Sequence, residues 1–242
     1  MAMTTKMMDE TDLLDNPATR VPVCLCLDTS GSMNLSAGRG SDGHSRGTRL
    51  SMLRDGIDRF IETVKKDEIA RYSVEVAVVT FDTEVRCILP FTTLSNLQQV
   101  PNFYAYGDTH MGEGINYGLD LLEERKRAYQ QAGTDYYQPW LVLMTDGVSN
   151  GDESQYSYAQ DRITRMSDSG KLVMIPTAIG EGEQQDKLKD FRTDHQVVSL
   201  TDMHFEKFFR WLGESIPVAV HSAQVPVRLD VNGSSIVDWS KV

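Results

Sequence analysis

The chain reads as an α/β protein: a doubly wound, mostly parallel sheet with helices on both faces and one antiparallel edge strand. Three observations predict this class. Short all-apolar runs alternate with stretches of helical periodicity, which implies a parallel sheet covered on both faces. Two runs, Val74–Phe81 and Glu84–Leu89, are joined by Asp82-Thr83 alone and read as a hairpin at a sheet edge. Two others, Val21–Leu27 and Trp140–Met144, run straight into loops led by or built around an aspartate. That is where an open parallel sheet places its ligands, at the carboxyl ends of its strands.

Taken in order, residues 1–19 read as a flexible tail, followed by the strand Val21–Leu27. Met33–Gly47 is rich in Gly and Ser and reads as a loop. Leu50, Leu53, Ile57, Phe60 and Val64 recur at helical spacing. The hairpin strands come next, and Leu94–Tyr106 fits no element. Gly112–Gln130 reads as a helix with Ile115, Leu119 and Leu122 on one face. The strand Trp140–Met144, a helix over Glu153–Met166, the strand Lys171–Ile179, a short helix over Gln184–Phe191 and the strand Val197–Leu200 follow. Phe205, Phe208, Phe209, Leu212 and Ile216 mark a final amphipathic helix. Residues 222–242 change character: Val225, Val227, Leu229 and Val231 alternate, and Asn232-Gly233 is a hairpin turn signal before Ser235–Trp239. The expected division is a tail over 1–19, a main domain over 20–221 and a C-terminal β-hairpin extension over 222–242.

Bulk properties exclude some functions. A net charge of −11 argues against sequence-independent nucleic-acid binding through a basic surface. No apolar run reaches the roughly 20 residues that a membrane helix needs. Met1–Asn16 is polar and acidic without an apolar core, unlike a secretory signal. Cys24 and Cys26 lie two apart on one strand, share a face and cannot easily bridge each other; with Cys87 they read as buried reduced thiols. The expectation is a cytoplasmic protein.

The chemistry gathers at three places. Asp28, Ser30 and Ser32 alternate directly behind the first strand, and Gly31 allows a tight turn between them. Thr109 precedes the helix over Gly112–Gln130, and Asp146 follows the strand Trp140–Met144. If the two strands are adjacent and parallel, both carboxylates reach one crevice, and the loop of Thr109 could cover it. Two carboxylates and three hydroxyls form a hard-oxygen set, suited to Mg²⁺ or Mn²⁺ rather than Zn²⁺, with Ca²⁺ less favoured. Few of the direct ligands need be charged, so the ion keeps net positive character, a physical reason to expect an acidic partner group.

These residues resemble the von Willebrand factor type A (vWA) domain. Its metal-ion-dependent adhesion site (MIDAS) has an Asp-x-Ser-x-Ser run, a distant Thr and a distant Asp, here Asp28, Ser30, Ser32, Thr109 and Asp146. Asp15-Asn16-Pro17, Glu123-Glu124-Arg125-Lys126, Tyr136-Tyr137-Gln138-Pro139-Trp140 and Phe208-Phe209-Arg210-Trp211-Leu212 look like the bacterial cytoplasmic branch associated with tellurium resistance (TerY-like). The resemblance covers roughly residues 15–216. It implies a Rossmann-like fold with a metal at the top of the sheet. It also implies a stress- or defence-linked binding protein, often encoded beside kinase- and phosphatase-like proteins. It implies direct metal contacts from Ser30, Ser32 and Thr109, with Asp28 and Asp146 often acting through water.

The chain departs from the family pattern in two places. The insertion Leu35–Gly47 is long and carries Arg39, His44 and Arg46; Asp108 and Gly114 stand where glycine and alanine are common, and Asp108 or Glu113 could add negative charge near the metal. The expected function is a non-enzymatic, metal-dependent protein-binding module that engages an Asp or Glu of a protein partner, with neither nucleic acid nor membrane as its target. The alternatives are a metal-assisted phosphohydrolase using Asp28, with His44 or His110 as the nearest acid candidates, and a scaffold whose metal is only structural.

Overall fold

A computed structural model describes residues 16–38, 44–45, 47–179, 188–189, 191, 197–200, 205–221 and 236–238. Seven strands form one sheet in the order β3-β2-β1-β4-β5-β6-β7. They are β1 (Val21–Asp28), β2 (Val74–Phe81), β3 (Val85–Thr93), β4 (Trp140–Thr145), β5 (Val173–Ile179), β6 (Val197–Leu200) and β7 (Ile236–Asp238). β3 is an edge strand, antiparallel to β2; every other pairing is parallel. The helices are α1 (Arg49–Lys65), the single turn α2 (Ala70–Ser73), α3 (Met111–Ala132), α4 (Glu153–Asp168) and α5 (Phe205–His221).

The alternation of side chains along each strand divides the core between the two faces. Val21, Val23, Leu25 and Leu27 of β1 pack toward α1 and α5, with Leu53, Phe60, Phe208 and Phe209. Cys24 and Cys26 point the other way, among Ile115, Leu119 and Ile163 of α3 and α4. Both faces are therefore covered, and β1, β2, β4 and β5 are buried along their whole lengths. None of the three cysteines forms a disulfide; Cys24 and Cys26 are fully buried and Cys87 only half-buried. Burial pushes the Cys24 thiol far up, which makes it inert.

Several boundaries differ from expectation. β3 runs on to Thr93, past Pro90, which is exposed on an edge strand where its missing N–H leaves no ladder bond unmade. The tail reading of 1–19 is too long, because Asn16 donates to the Tyr72 carbonyl and accepts from Arg20 through its own carbonyl. Ile236–Asp238 pairs parallel with β6 as the last strand of the main sheet. Residues 225–231, the other arm of the expected hairpin, lie outside the described residues, as does most of Gln184–Phe191. Ala70–Ser73 is a helical turn that carries too few residues to show a period.

Close packing of α3 on α4 holds the upper end of the sheet together. A Cβ on Gly112 would lie 2.4 Å from the Tyr156 backbone nitrogen, and on Gly114 2.7 Å from the Phe81 ring. The glycine at 114 thus makes room for Phe81. Gly112→Ala is expected to lower stability. Overpacking against backbone costs about 1–3 kcal/mol and outweighs the gain of about 1 kcal/mol in helix propensity. A lower urea midpoint with an unchanged m-value would show it.

Candidate metal centre

The chain winds from β1 to β2 on one side and resumes with β4 on the other side of β1. The strand order therefore reverses between β1 and β4, and a crevice opens at their carboxyl ends. Asp28 is the last residue of β1; Thr145 ends β4 and Asp146 follows it. The strands are adjacent and parallel, with Leu27 opposite Met144, so both carboxylates reach this crevice.

The first loop is shaped by its own side chains. The Ser30 N–H donates to Asp28 Oδ1 at 2.8 Å, and Thr145 Oγ1 donates to Asp28 Oδ2 at 2.6 Å. A 3₁₀ turn over Gly31–Asn34 follows and brings Ser32 back over the site. Ser32 Oγ donates to Asp146 Oδ1 at 2.5 Å, which spends its one proton. The 2.9 Å contact between the two serine hydroxyls is therefore donated by Ser30. Asp28, Ser30, Ser32 and Asp146 form one hydrogen-bonded cluster.

Thr109 arrives on the loop before α3, which is stitched to the first loop. The Tyr106 N–H donates to the Thr29 carbonyl and the Gly31 N–H to the Gly107 carbonyl. Asp82 and Thr83, beyond β2, hold the other side: the His110 N–H donates to the Asp82 carbonyl and the Asp108 N–H to Thr83 Oγ1. Asn150 closes the arrangement, accepting from the Thr109 N–H at 2.7 Å through its side chain and donating to the Thr109 carbonyl through its backbone. A Cβ on Gly147 would sit 3.3 Å from Thr109 Oγ1 and 3.9 Å from Asp28 Oδ2, so both oxygens approach the same small residue. His110, not Thr109, is the residue preceding α3, and the Thr109 hydroxyl makes no helix cap. All five expected site residues meet at this crevice.

Asp28, Ser30, Thr109 and Asp146 are buried, and Ser32 is half-buried. Burial pushes the Asp28 carboxyl up to about 6, against the hydrogen bonds from Thr145 and Ser30 that lower it, and the neighbouring Asp146 charge adds to the rise. A buried carboxylate raised in this way carries negative charge that its surroundings under-compensate, and a cation is the group that would relieve it. The donors are all hard oxygens, so the residues present fit a divalent cation of the Mg²⁺ or Mn²⁺ type. Among the described residues no three His, Cys, Asp or Glu side chains are arranged to hold a metal ion by themselves, so hydroxyls must supply part of any such set.

Four supporting residues were not anticipated. Thr145 orients Asp28, Asn150 orients Thr109, and Asp82 accepts from Thr29 Oγ1 at 3.1 Å. Arg49, the first residue of α1, donates to Asp146 Oδ2 at 2.7 Å. Its sequence signal was a basic residue directly after the helix cap Thr48, where the helix dipole favours acids. Asp108 and Glu113 are engaged beside the site: Asp108 accepts from Asn150 Nδ2 and Glu113 from the Asp152 N–H.

A doubly wound sheet with a hydroxyl-and-carboxylate crevice at its switch point defines a class of cation-site α/β domains. The chain belongs to the von Willebrand factor type A domain family, whose profile matches residues 23–210. Solved structures agree in fold. The vWF domain of the type V pili tip protein Mfa5 from Porphyromonas gingivalis has a TM-score of 0.61 at 14% identity, covering 86% of this chain and 98% of that one. The PilB minor pilin from Streptococcus sanguinis has a TM-score of 0.59 at 16% identity, covering 86% of this chain; the match spans only 64% of the pilin. The mussel byssus proximal thread matrix protein 1, solved with a zinc-occupied MIDAS motif, has a TM-score of 0.51 at 14% identity, covering 85% of this chain and 47% of that one. No curated protein matches the chain in sequence. Among the described residues no helix is long and apolar enough to cross a membrane.

Proposed function

We propose that this protein is a metal-dependent protein-binding module, without catalytic activity, that engages an Asp or Glu of a protein partner. The observation that carries the reading is the joining of Asp28, Ser30, Ser32 and Asp146 in one cluster, with Thr109 beside it. Ser30, Ser32 and Thr109 would hold Mg²⁺ or Mn²⁺ directly, with Asp28 and Asp146 behind them. A divalent cation held there supplies a positive charge that a partner carboxylate can meet. Thr145 and Asn150 keep Asp28 and Thr109 in place, so the donor set needs little rearrangement to accept it.

The TerY-like stretches support a setting in a bacterial stress or defence system of the tellurium-resistance kind. The cytoplasm is the proposed location, and kinase- or phosphatase-like proteins of the same system are proposed partners. Among the described residues, no lysine or general acid hydrogen-bonds to Asp28, which favours binding over phosphoester hydrolysis.

The test is capture of acid-containing peptides from a displayed library on the immobilised protein. Capture in millimolar Mg²⁺ that is lost with EDTA, and lost in Ser30→Ala, is the expected outcome. Capture that survives both treatments would overturn the reading.

A further inference from the structure

The metal reading leaves Arg49 unexplained. Its guanidinium is about one quarter exposed and reaches the fully buried Asp146 carboxylate at 2.7 Å. Among the described residues it is the one cation paired with Asp28 or Asp146. It stands at the first position of α1, where no acidic residue offsets the helix dipole, so its charge is unfavourable to its own helix. Two further contacts fix that position. Thr48 and Ser51 form a reciprocal capping box, and the Arg49 N–H donates to the Leu35 carbonyl at the base of the inserted loop. A residue that breaks a local preference and is held in place to do so marks a functional site.

Charge balance gives the reason. Two carboxylates and one guanidinium leave the cluster with one net negative charge, and a divalent cation would turn that into one net positive charge. Without Arg49 the loaded site would be neutral and would offer much less to an acidic partner. Arg49 also occupies one oxygen of Asp146 while Ser32 occupies the other, so a cation must share this carboxylate with the guanidinium.

We propose that Arg49 is a built-in counter-cation of the metal centre: it weakens cation binding and in return keeps the loaded site positive toward its partner. The inference rests on the metal-site reading above, and the experiment separates the two.

Mn²⁺ is titrated into the wild type, Arg49→Gln and Arg49→Lys, with free Mn²⁺ followed by electron paramagnetic resonance. Arg49→Ala serves as a second uncharged variant should Arg49→Gln fail to fold. Arg49→Gln is expected to bind Mn²⁺ at least about fivefold more tightly, the lower end of ordinary site-to-site coupling. Arg49→Lys, which keeps the charge, should stay close to the wild type. Equal or weaker Mn²⁺ binding by the uncharged variants, in a wild type that does bind, would overturn the role of Arg49 and leave the metal site standing. Absence of binding by every variant would overturn both.

Discussion

Replacing Glu75 by alanine is expected to destabilise the fold by about 3–5 kcal/mol, the range found when one partner of a buried ion pair is removed. Glu75 is the second residue of β2 and is fully buried. It accepts from Arg125 Nε at 2.6 Å and Nη2 at 2.7 Å in a bidentate pair, and from the Tyr129 hydroxyl at 2.6 Å. Arg20 Nη1 lies 3.5 Å from its other oxygen, and that side chain too is fully buried. One carboxylate thus stands between two guanidiniums. Its loss would leave both cations in a low-dielectric interior without their anion, a larger penalty than the packing of the side chain alone. Glu75→Gln keeps the shape and loses the charge, so it should retain most of the loss. Urea denaturation would measure both variants, and a loss below about 1 kcal/mol would contradict this account of the cluster. The cluster lies at the amino-terminal ends of β1 and β2, opposite the crevice that holds Asp28 and Asp146. A Glu75→Gln protein that still folds should therefore bind Mn²⁺ like the wild type.

Addition of Mg²⁺ or Mn²⁺ is expected to stabilise the wild type by about 2.7 kcal/mol at a hundredfold excess over the dissociation constant. Asp28→Asn should show no such response. The same substitution has a second, opposite signature. The folded state raises the Asp28 pKa to about 6, above its ordinary value, so ionised Asp28 is disfavoured by the fold and the penalty is present at pH 7 and above. Asparagine removes that penalty while its amide oxygen can still accept from Ser30. In EDTA at neutral pH, Asp28→Asn should therefore melt no lower than the wild type. A residue kept for binding at the expense of the metal-free fold gives this pattern, equal or higher intrinsic stability with lost response. Thermal unfolding with EDTA and with millimolar metal would reveal it. A metal response retained in Asp28→Asn would contradict the assignment of that carboxylate.

The parts of the fold legible in the sequence are those with strong period and composition. Val74–Phe81 and Val197–Leu200 match their strands end to end, because they are short apolar runs bounded by polar residues or turns. The start of α4 at Glu153 was legible too, since Asp152 caps it by accepting from the Ser154 N–H. Pro90 hid the second half of β3, since proline stops a strand reading unless the strand is known to be an edge. The parallel pairing of Ile236–Asp238 with β6 was not legible at all: Asn232-Gly233 speaks only for the local turn, and long-range pairing leaves no mark in a three-residue segment.

The site divides in the same way. That Asp28, Ser30, Ser32, Thr109 and Asp146 come together was readable, because spacing and strand context fix where their oxygens go. The supports were not. Thr145 and Asn150 are ordinary residue types in ordinary positions, and only the register of β1 against β4 and the return of the chain beside Thr109 give them their roles. Glu75, Arg125 and Arg20 come from three separate segments, so their meeting is a property of the packed sheet. The chain around Tyr136-Tyr137 closes on the same cluster: Arg20 pairs with Tyr136 in a β-bridge, and the Tyr137 N–H donates to the Arg20 carbonyl.

The most direct test of the central claim is a Mn²⁺-soaked crystal measured at the manganese absorption edge. The account predicts one anomalous peak in the crevice between β1 and β4, in contact with the hydroxyls of Ser30, Ser32 and Thr109. A crystal with no peak there, or with its peak at another set of residues, would contradict it.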